Sequence, residues 1–258
     1  MKINQLQRKL CLLLLALCFM ATPSVLTAQG TVYGIKGGLA VGNQSFNNGG
    51  TLQNGLLFKP YGDLFMESAP SDNTGVMYLQ VGYHPRGHAQ RYQGGVVQNF
   101  STGQLETVSG FTQEFIFHNV GLTIGFKKRN VLGKPNAYYA LGLRAEYTVK
   151  NNLSNPNSGG GSIFSLYFPT SDFVKPFVYG LSLGAGYEFA FSELTGGFVE
   201  FSVHPDIGRQ YFQPQIPVNF RDPFSGQQIT SIPEQSIRNL SFEVTIGFRF
   251  LRKIEYID

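Results

Sequence analysis

The chain has 258 residues, of which 14% are charged and 14% are aromatic, and its formal net charge is +4. Soluble domains usually carry about 25% charged residues, so this composition is unusual for a soluble protein. No basic patch stands out that would indicate binding to nucleic acid.

Residues 1–28 have the pattern of a cleavable secretory signal peptide. Three basic residues precede the apolar run 10–20, which is too short to span a membrane, and a more polar stretch follows. We expect cleavage after Ala28. A lipoprotein anchor at Cys18 is the alternative, but a bulky leucine precedes that cysteine. The segment holds both cysteines and three of the 20 basic residues, so the mature chain is nearly neutral and has no thiol for a disulfide or a metal.

Alternation of apolar and polar residues predicts eight strands within residues 29–250. The pattern is clearest in the last strand, where every second residue from Leu240 to Phe250 is apolar, whereas Glu243 and Arg249 lie on the opposite face. In chain order the predicted strands cover about 32–41, 55–67, 76–84, 114–127, 137–150, 176–189, 197–204 and 240–250.

The connections between these strands alternate in length. The long ones are 42–54, 85–112, 151–175 and 205–236, and the short ones are 68–75, 128–136 and 190–196. This alternation is typical of outer-membrane barrels, and no apolar stretch after residue 28 is long enough for a membrane helix. We therefore predict an all-β fold, an eight-stranded antiparallel up-and-down transmembrane β-barrel. It should be a monomer in outer-membrane lipid, with both termini and a short tail, 251–258, in the periplasm.

A barrel of eight strands is filled by its own side chains, so its inward-facing charges should pair with one another. The charged residues predicted to face inward are Lys36, Lys59, Asp63, Arg144, Glu146, Glu188, Glu200, Glu243 and Arg249. We interpret them as a structural network that braces the lumen. The alternative is a narrow or gated pore, which could conduct protons.

The histidines raise two chemical alternatives. His204, Asp206 and Ser202 could form a hydrolase or acyltransferase site at the outer rim, but no spacing signature links them. His84 and His88 could bind a metal, but no carboxylate accompanies them in sequence. We therefore predict no catalytic residue, no metal, no cofactor and no enzymatic activity. A periplasmic lipocalin-like barrel, with its apolar face turned inward, is the main structural alternative.

Six segments of the predicted strands form a series of short motifs. They are GIKGGL at 34–39, MYLQVGYHPRG at 77–87, the strands at 117–126 and 136–147, GAGYEF at 184–189 and IGFRF at 246–250. In this order they resemble the strand motifs of the PorT-like outer-membrane β-barrel family of Bacteroidota. Gly82 and Asn119 stand where that family has acidic residues.

The resemblance implies an outer-membrane barrel, and the family's named member is an assembly factor for type IX protein secretion. No functional residue is carried over from it. We predict a structural, adhesion or secretion-assembly role, in which the four long outer loops bind proteins of the envelope or of a secretion system.

Overall fold

The computed structural model describes residues 30–46, 53–68, 75–92, 95–98, 105–131, 133–153, 169–221 and 228–253. Within these residues, eight long strands form one closed antiparallel sheet, in which each strand pairs with the next and the last pairs with the first. They are β1 (Gly30–Phe46), β2 (Leu57–Ser68), β3 (Val76–Tyr92), β4 (Phe111–Val131), β5 (Lys134–Asn151), β6 (Phe177–Ala190), β7 (Thr195–Pro205) and β8 (Gln235–Lys253). The predicted eight-stranded up-and-down barrel is confirmed.

Shorter strands lie at the end of the barrel that carries the long connections. Gln53–Gly55 pairs with β3, and Tyr211–Gln213 pairs with β8. Two hairpins stand outside the barrel sheet: Gly95–Gln98 with Leu105–Val108, and Ile216–Arg221 with Gln228–Ile232.

The strands are longer than their alternation predicts. β3 continues to Tyr92 and β4 begins at Phe111, so ten of the 28 residues of the predicted connection 85–112 belong to these two strands. β8 continues to Lys253 and includes the first three residues of the predicted tail. The predicted signal peptide and residues 254–258 lie outside the described residues.

The outward face of the barrel is apolar. On β4 the outward residues Val120, Leu122, Ile124 and Phe126 are 38–46% exposed, and this row lies between two basic residues, at positions 118 and 128. From position 118 to position 128 the strand rises about 3.3 Å per residue. If the strand is tilted by about 40° from the barrel axis, these ten residues span about 25 Å along that axis, which matches the apolar band of outer-membrane barrels. The chain is therefore an outer-membrane β-barrel, and the lipocalin-like alternative does not fit it.

Among the described residues, no helix is both long enough and apolar enough to cross a membrane.

The lipid-facing assignment predicts the effect of a charge in the middle of β5. Leu143 is 69% exposed, and Leu143→Arg should destabilise the barrel in a bilayer by about 2–4 kcal/mol. Val149→Arg, near the edge of the same strand, should cost at most about 1 kcal/mol. Urea unfolding in lipid vesicles, followed by the gel mobility of boiled and unboiled samples, measures both. Equal costs at the two positions would contradict the assignment.

Inward aromatic rings fill the end of the barrel that carries the short turns. The buried side chains of Val32, Phe65, Tyr138 and Phe198 pack together there. Phe198 lies directly over Gly247, so that a Cβ added to this glycine would overlap the ring. Rings packed over glycines occupy this end of the lumen among the described residues.

Candidate functional site

The opposite end of the lumen is closed by the upper half of β3. Every residue of the run His84–Gln90 is buried, although a barrel strand normally turns every second residue outward. A Cβ added to Gly42, on the inward face of β1, would lie 2.5 Å from the carbonyl oxygen of Gly87. The run therefore parts from β2, stays paired with β4 and packs over the inner face of β1 at the mouth of the lumen.

Arg86 is the central residue of a group of buried charged side chains beneath the mouth. Its guanidinium donates to Glu146 Oε1 on β5 at 2.8 Å and to Glu243 Oε1 on β8 at 3.0 Å. Arg144 also donates to Glu146 Oε1, at 2.9 Å, and reaches Asp206, which follows β7. All five side chains are buried. They connect four parts of the barrel that are far apart in sequence.

His84 lies between two carboxylates. Its Nε2 is 2.8 Å from Asp63 Oδ1 on β2, and its Nδ1 is 3.1 Å from Glu243 Oε1 on β8. The ring also stacks on Tyr61, with centroids 5.4 Å apart. The contact with Glu243 has hydrogen-bond geometry, whereas the contact with Asp63 is a short distance without it.

A second group of ion pairs lies nearer the short turns. Lys127 Nζ is 2.8 Å from Glu67 Oε1 and 2.6 Å from Glu188 Oε1. Arg129 joins the same two carboxylates, at 2.7 and 3.1 Å, and Arg249 joins Glu188 at 2.6 Å. This group ties β2, β4, β6 and β8 together.

Lys36 and Glu200 form the layer between the two groups. Their charged atoms are 3.0 Å apart, and the hydroxyl of Tyr138 donates to Glu200 Oε2 at 2.8 Å.

The lumen charges nearly balance among the described residues. Apart from histidines, the ion pairs of the lumen contain six cationic and seven anionic side chains. The cations are Lys36, Arg86, Lys127, Arg129, Arg144 and Arg249, and the anions are Asp63, Glu67, Glu146, Glu188, Glu200, Asp206 and Glu243.

The structure places eight of the nine residues of the predicted network in lumen ion pairs: Lys36, Asp63, Arg144, Glu146, Glu188, Glu200, Glu243 and Arg249. The ninth, Lys59, pairs instead with Glu114 at the exposed rim, at 2.7 Å. Sequence reasoning missed Arg86, which lay in a predicted loop. It also missed Glu67, Lys127 and Arg129, which lie at or beyond the ends of predicted strands and so outside the clear alternation.

The alternative site of Ser202, His204 and Asp206 forms in part. His204 Nε2 is 3.0 Å from Ser202 Oγ, but it is also 3.0 Å from Glu243 Oε2, whereas Asp206 contacts Arg144 and Asn239. A serine–histidine–acid relay needs the acid on the other ring nitrogen, so this arrangement is not such a relay. Across the described residues, no group of three or more His, Cys, Asp or Glu side chains could hold a metal.

Little free space remains inside the barrel. A cavity of about 20 Å³ lies among Lys36, Glu67, Tyr78, Lys127 and Glu200, and it has room for about one water molecule. This cavity is too small for a solute.

Segments of the long connections pack over the closed mouth. Phe115, Phe117, Leu153, Tyr211 and Ile237 form a buried apolar cluster there. Burial raises the pKa of the Tyr211 phenol, so this hydroxyl stays protonated and donates to Gln213 Oε1 at 2.7 Å.

Solved structures similar to this chain are outer-membrane β-barrel proteins. The outer membrane protein OprG from Pseudomonas aeruginosa matches at 12% identity and a TM-score of 0.45, over 86% of this chain and 97% of that one. Ail from Yersinia pestis, an attachment invasion locus protein, matches at 11% and 0.35, over 86% and 99%. The outer membrane protease OMPT from Escherichia coli matches at 11% and 0.35, over 88% and 98%.

No protein-family profile and no curated protein matches the chain, so the resemblance to the PorT-like family stays a prediction. The prediction that the chain is not an enzyme is wrong as an inference from the fold, because the matched structures include a protease. A barrel of this fold does not exclude an activity.

Proposed function

We propose that this chain is a closed outer-membrane barrel that acts through its outer surface, in adhesion or in the assembly of a secretion system. The end with the long connections faces outward, and both termini face the periplasm. The observation that carries this proposal is the buried run His84–Gln90, which packs over the inner face of β1 at the mouth of the lumen.

The two hairpins outside the barrel sheet support a role at the outer surface. Each has two strands that pair with no third strand among the described residues. An isolated two-stranded hairpin is marginally stable in water, and its open edges can pair with a strand of another protein. The motifs that resemble the PorT-like family favour a partner in the secretion machinery.

Planar bilayer recordings test the closed lumen. The purified chain should pass no measurable ion current, whereas a wide porin reconstituted in the same bilayer should conduct. An eight-stranded barrel is filled by its own side chains, and the described lumen residues are paired charges around a cavity for about one water molecule, so we expect no continuous water path for ions. Steady conductance of the wild-type chain would contradict the proposal.

Replacing residues 216–232 with a short Gly-Ser linker tests the outer surface. We expect loss of cell adherence or of secreted cargo, while the unboiled protein keeps its folded gel mobility. The matched control replaces the turn 191–194 at the opposite end of the barrel. A hairpin variant that retains both activities would contradict the proposed role.

A further inference from the structure

Polar side chains meet at the upper edge of the lipid-facing band on β3, β4 and β5. On β4, His118 is the first outward residue beyond the apolar row that begins at Val120. The band below it is about as tall as the hydrocarbon layer, so His118 lies at the depth of the lipid headgroups.

A β-bulge brings Lys150 to the same surface. Asn119 pairs with Thr148, but His118 pairs with Lys150, so Val149 is an extra residue in β5. Such a bulge re-aims the side chains that follow it. Simple alternation would turn Lys150 inward, like Arg144 and Glu146. Because directly paired residues share a face of the sheet, the bulge turns Lys150 outward, beside His118.

Tyr83 holds the His118 ring in a defined orientation. The two rings stack with centroids 6.0 Å apart and 17° between their planes, and the Tyr83 hydroxyl oxygen is 2.5 Å from His118 Nδ1. When this hydroxyl donates to Nδ1, the imidazole carries its proton on Nε2, on the opposite side of the ring. His118 then presents an N–H donor beside Lys150.

The charge of this patch is not balanced by protein. Lys150 is exposed, and within the described residues no carboxylate lies within salt-bridge distance of it. In the described strands, the outward rows that face the lipid band contain no Asp or Glu. A cation with an adjacent N–H donor at headgroup depth is complementary to a phosphate.

We propose that Tyr83, His118 and Lys150 bind a phosphate group of a glycolipid in the outer leaflet. Lys150 supplies the charge, His118 Nε2 supplies a directed donor, and Tyr83 positions the His118 ring. The apolar rows beneath the patch contact the acyl chains of the same lipid. The proposal rests on the outward orientation of the long connections.

Native mass spectrometry of the folded, detergent-purified chain tests this site. The probes are diphosphorylated lipid A and its dephosphorylated form. The wild-type chain should retain the phosphorylated lipid, and Lys150→Gln and His118→Gln should each weaken its binding about tenfold, as expected for one lost charge-assisted hydrogen bond. Lys128→Gln is the matched control, because Lys128 is exposed at the opposite edge of the band on β4.

Three results would overturn the proposal. One is equal retention of the dephosphorylated lipid, and another is an equal loss of binding in Lys128→Gln. The third is displacement of the lipid by an equal concentration of inorganic phosphate, which would indicate a free-anion site. Gel mobility without boiling shows that each variant is folded. None of these readouts depends on the bilayer current or on the outer hairpins, so this proposal and the proposed function can fail separately.

Discussion

Arg86→Met should destabilise the barrel by about 3–5 kcal/mol, the usual cost of breaking a buried ion pair by removing one partner. Arg86 is fully buried and donates to two buried carboxylates, Glu146 and Glu243. Methionine has a similar length and packs without donating, so both carboxylates lose a charged partner in a site that water does not reach. Urea unfolding in lipid vesicles measures the loss.

Two further variants show whether the loss comes from the unpaired charge. Arg86→Met combined with Glu146→Gln should cost less than the sum of the single changes, because the second change removes a buried carboxylate that the first left with Arg144 as its cationic partner. Lys59→Met breaks the exposed pair with Glu114 and should cost at most about 1 kcal/mol. Equal costs for Arg86→Met and Lys59→Met would contradict the central role of Arg86.

Gly87→Ala should be nearly as damaging, with an expected cost of about 3–5 kcal/mol. Gly87 has a φ of +149°, and an added Cβ would overlap the carbonyl oxygen of Phe115 on β4. Alanine therefore meets both an unfavourable backbone conformation and a clash with backbone that cannot rotate away. The same urea titration, with the folded fraction read from gel mobility, measures the cost.

Two other glycines separate these contributions. Gly133 has a φ of +72° but open space around its Cβ position, so Gly133→Ala should cost about 1–2 kcal/mol from the backbone alone. Gly95 also has open space there, and Gly95→Ala should be nearly neutral. If Gly87→Ala cost no more than Gly133→Ala, the close approach of Gly87 to the carbonyl oxygen of Phe115 on β4 would be disproved.

Much of the lipid-facing surface could be predicted from alternation alone. The rows that begin at Val120 and Leu240 are apolar at every second residue, and the structure turns them outward. Successive side chains of a strand point to opposite faces of the sheet. Because the outer face contacts lipid and the inner face carries charges, apolar and polar residues alternate along the strand in the same way. The strand number and order follow from this pattern, since consecutive strands of an up-and-down barrel pair in order.

The closed mouth could not be predicted in this way. His84–Gln90 keeps the alternation of polar and apolar residues, but its apolar positions hold only the small residues Pro85, Gly87 and Ala89. The proline and the glycine indicate a loop, and nothing in the alternation shows that both faces of the run are buried. The same limit applies to Lys150, whose direction depends on one unpaired residue in β5. A one-residue shift in register reverses the face of the residues beyond it.

Alternation along each strand predicts which residues face the lipid and that charged residues face the lumen, because this information is local to the strand. Which of these charges form ion pairs depends on the tertiary structure. Arg86 and Glu243 are 157 residues apart in sequence and 3.0 Å apart in the barrel. Such a pairing depends on the register of every strand between them and on the inward bend of β3, neither of which is recorded in the pattern of a single strand.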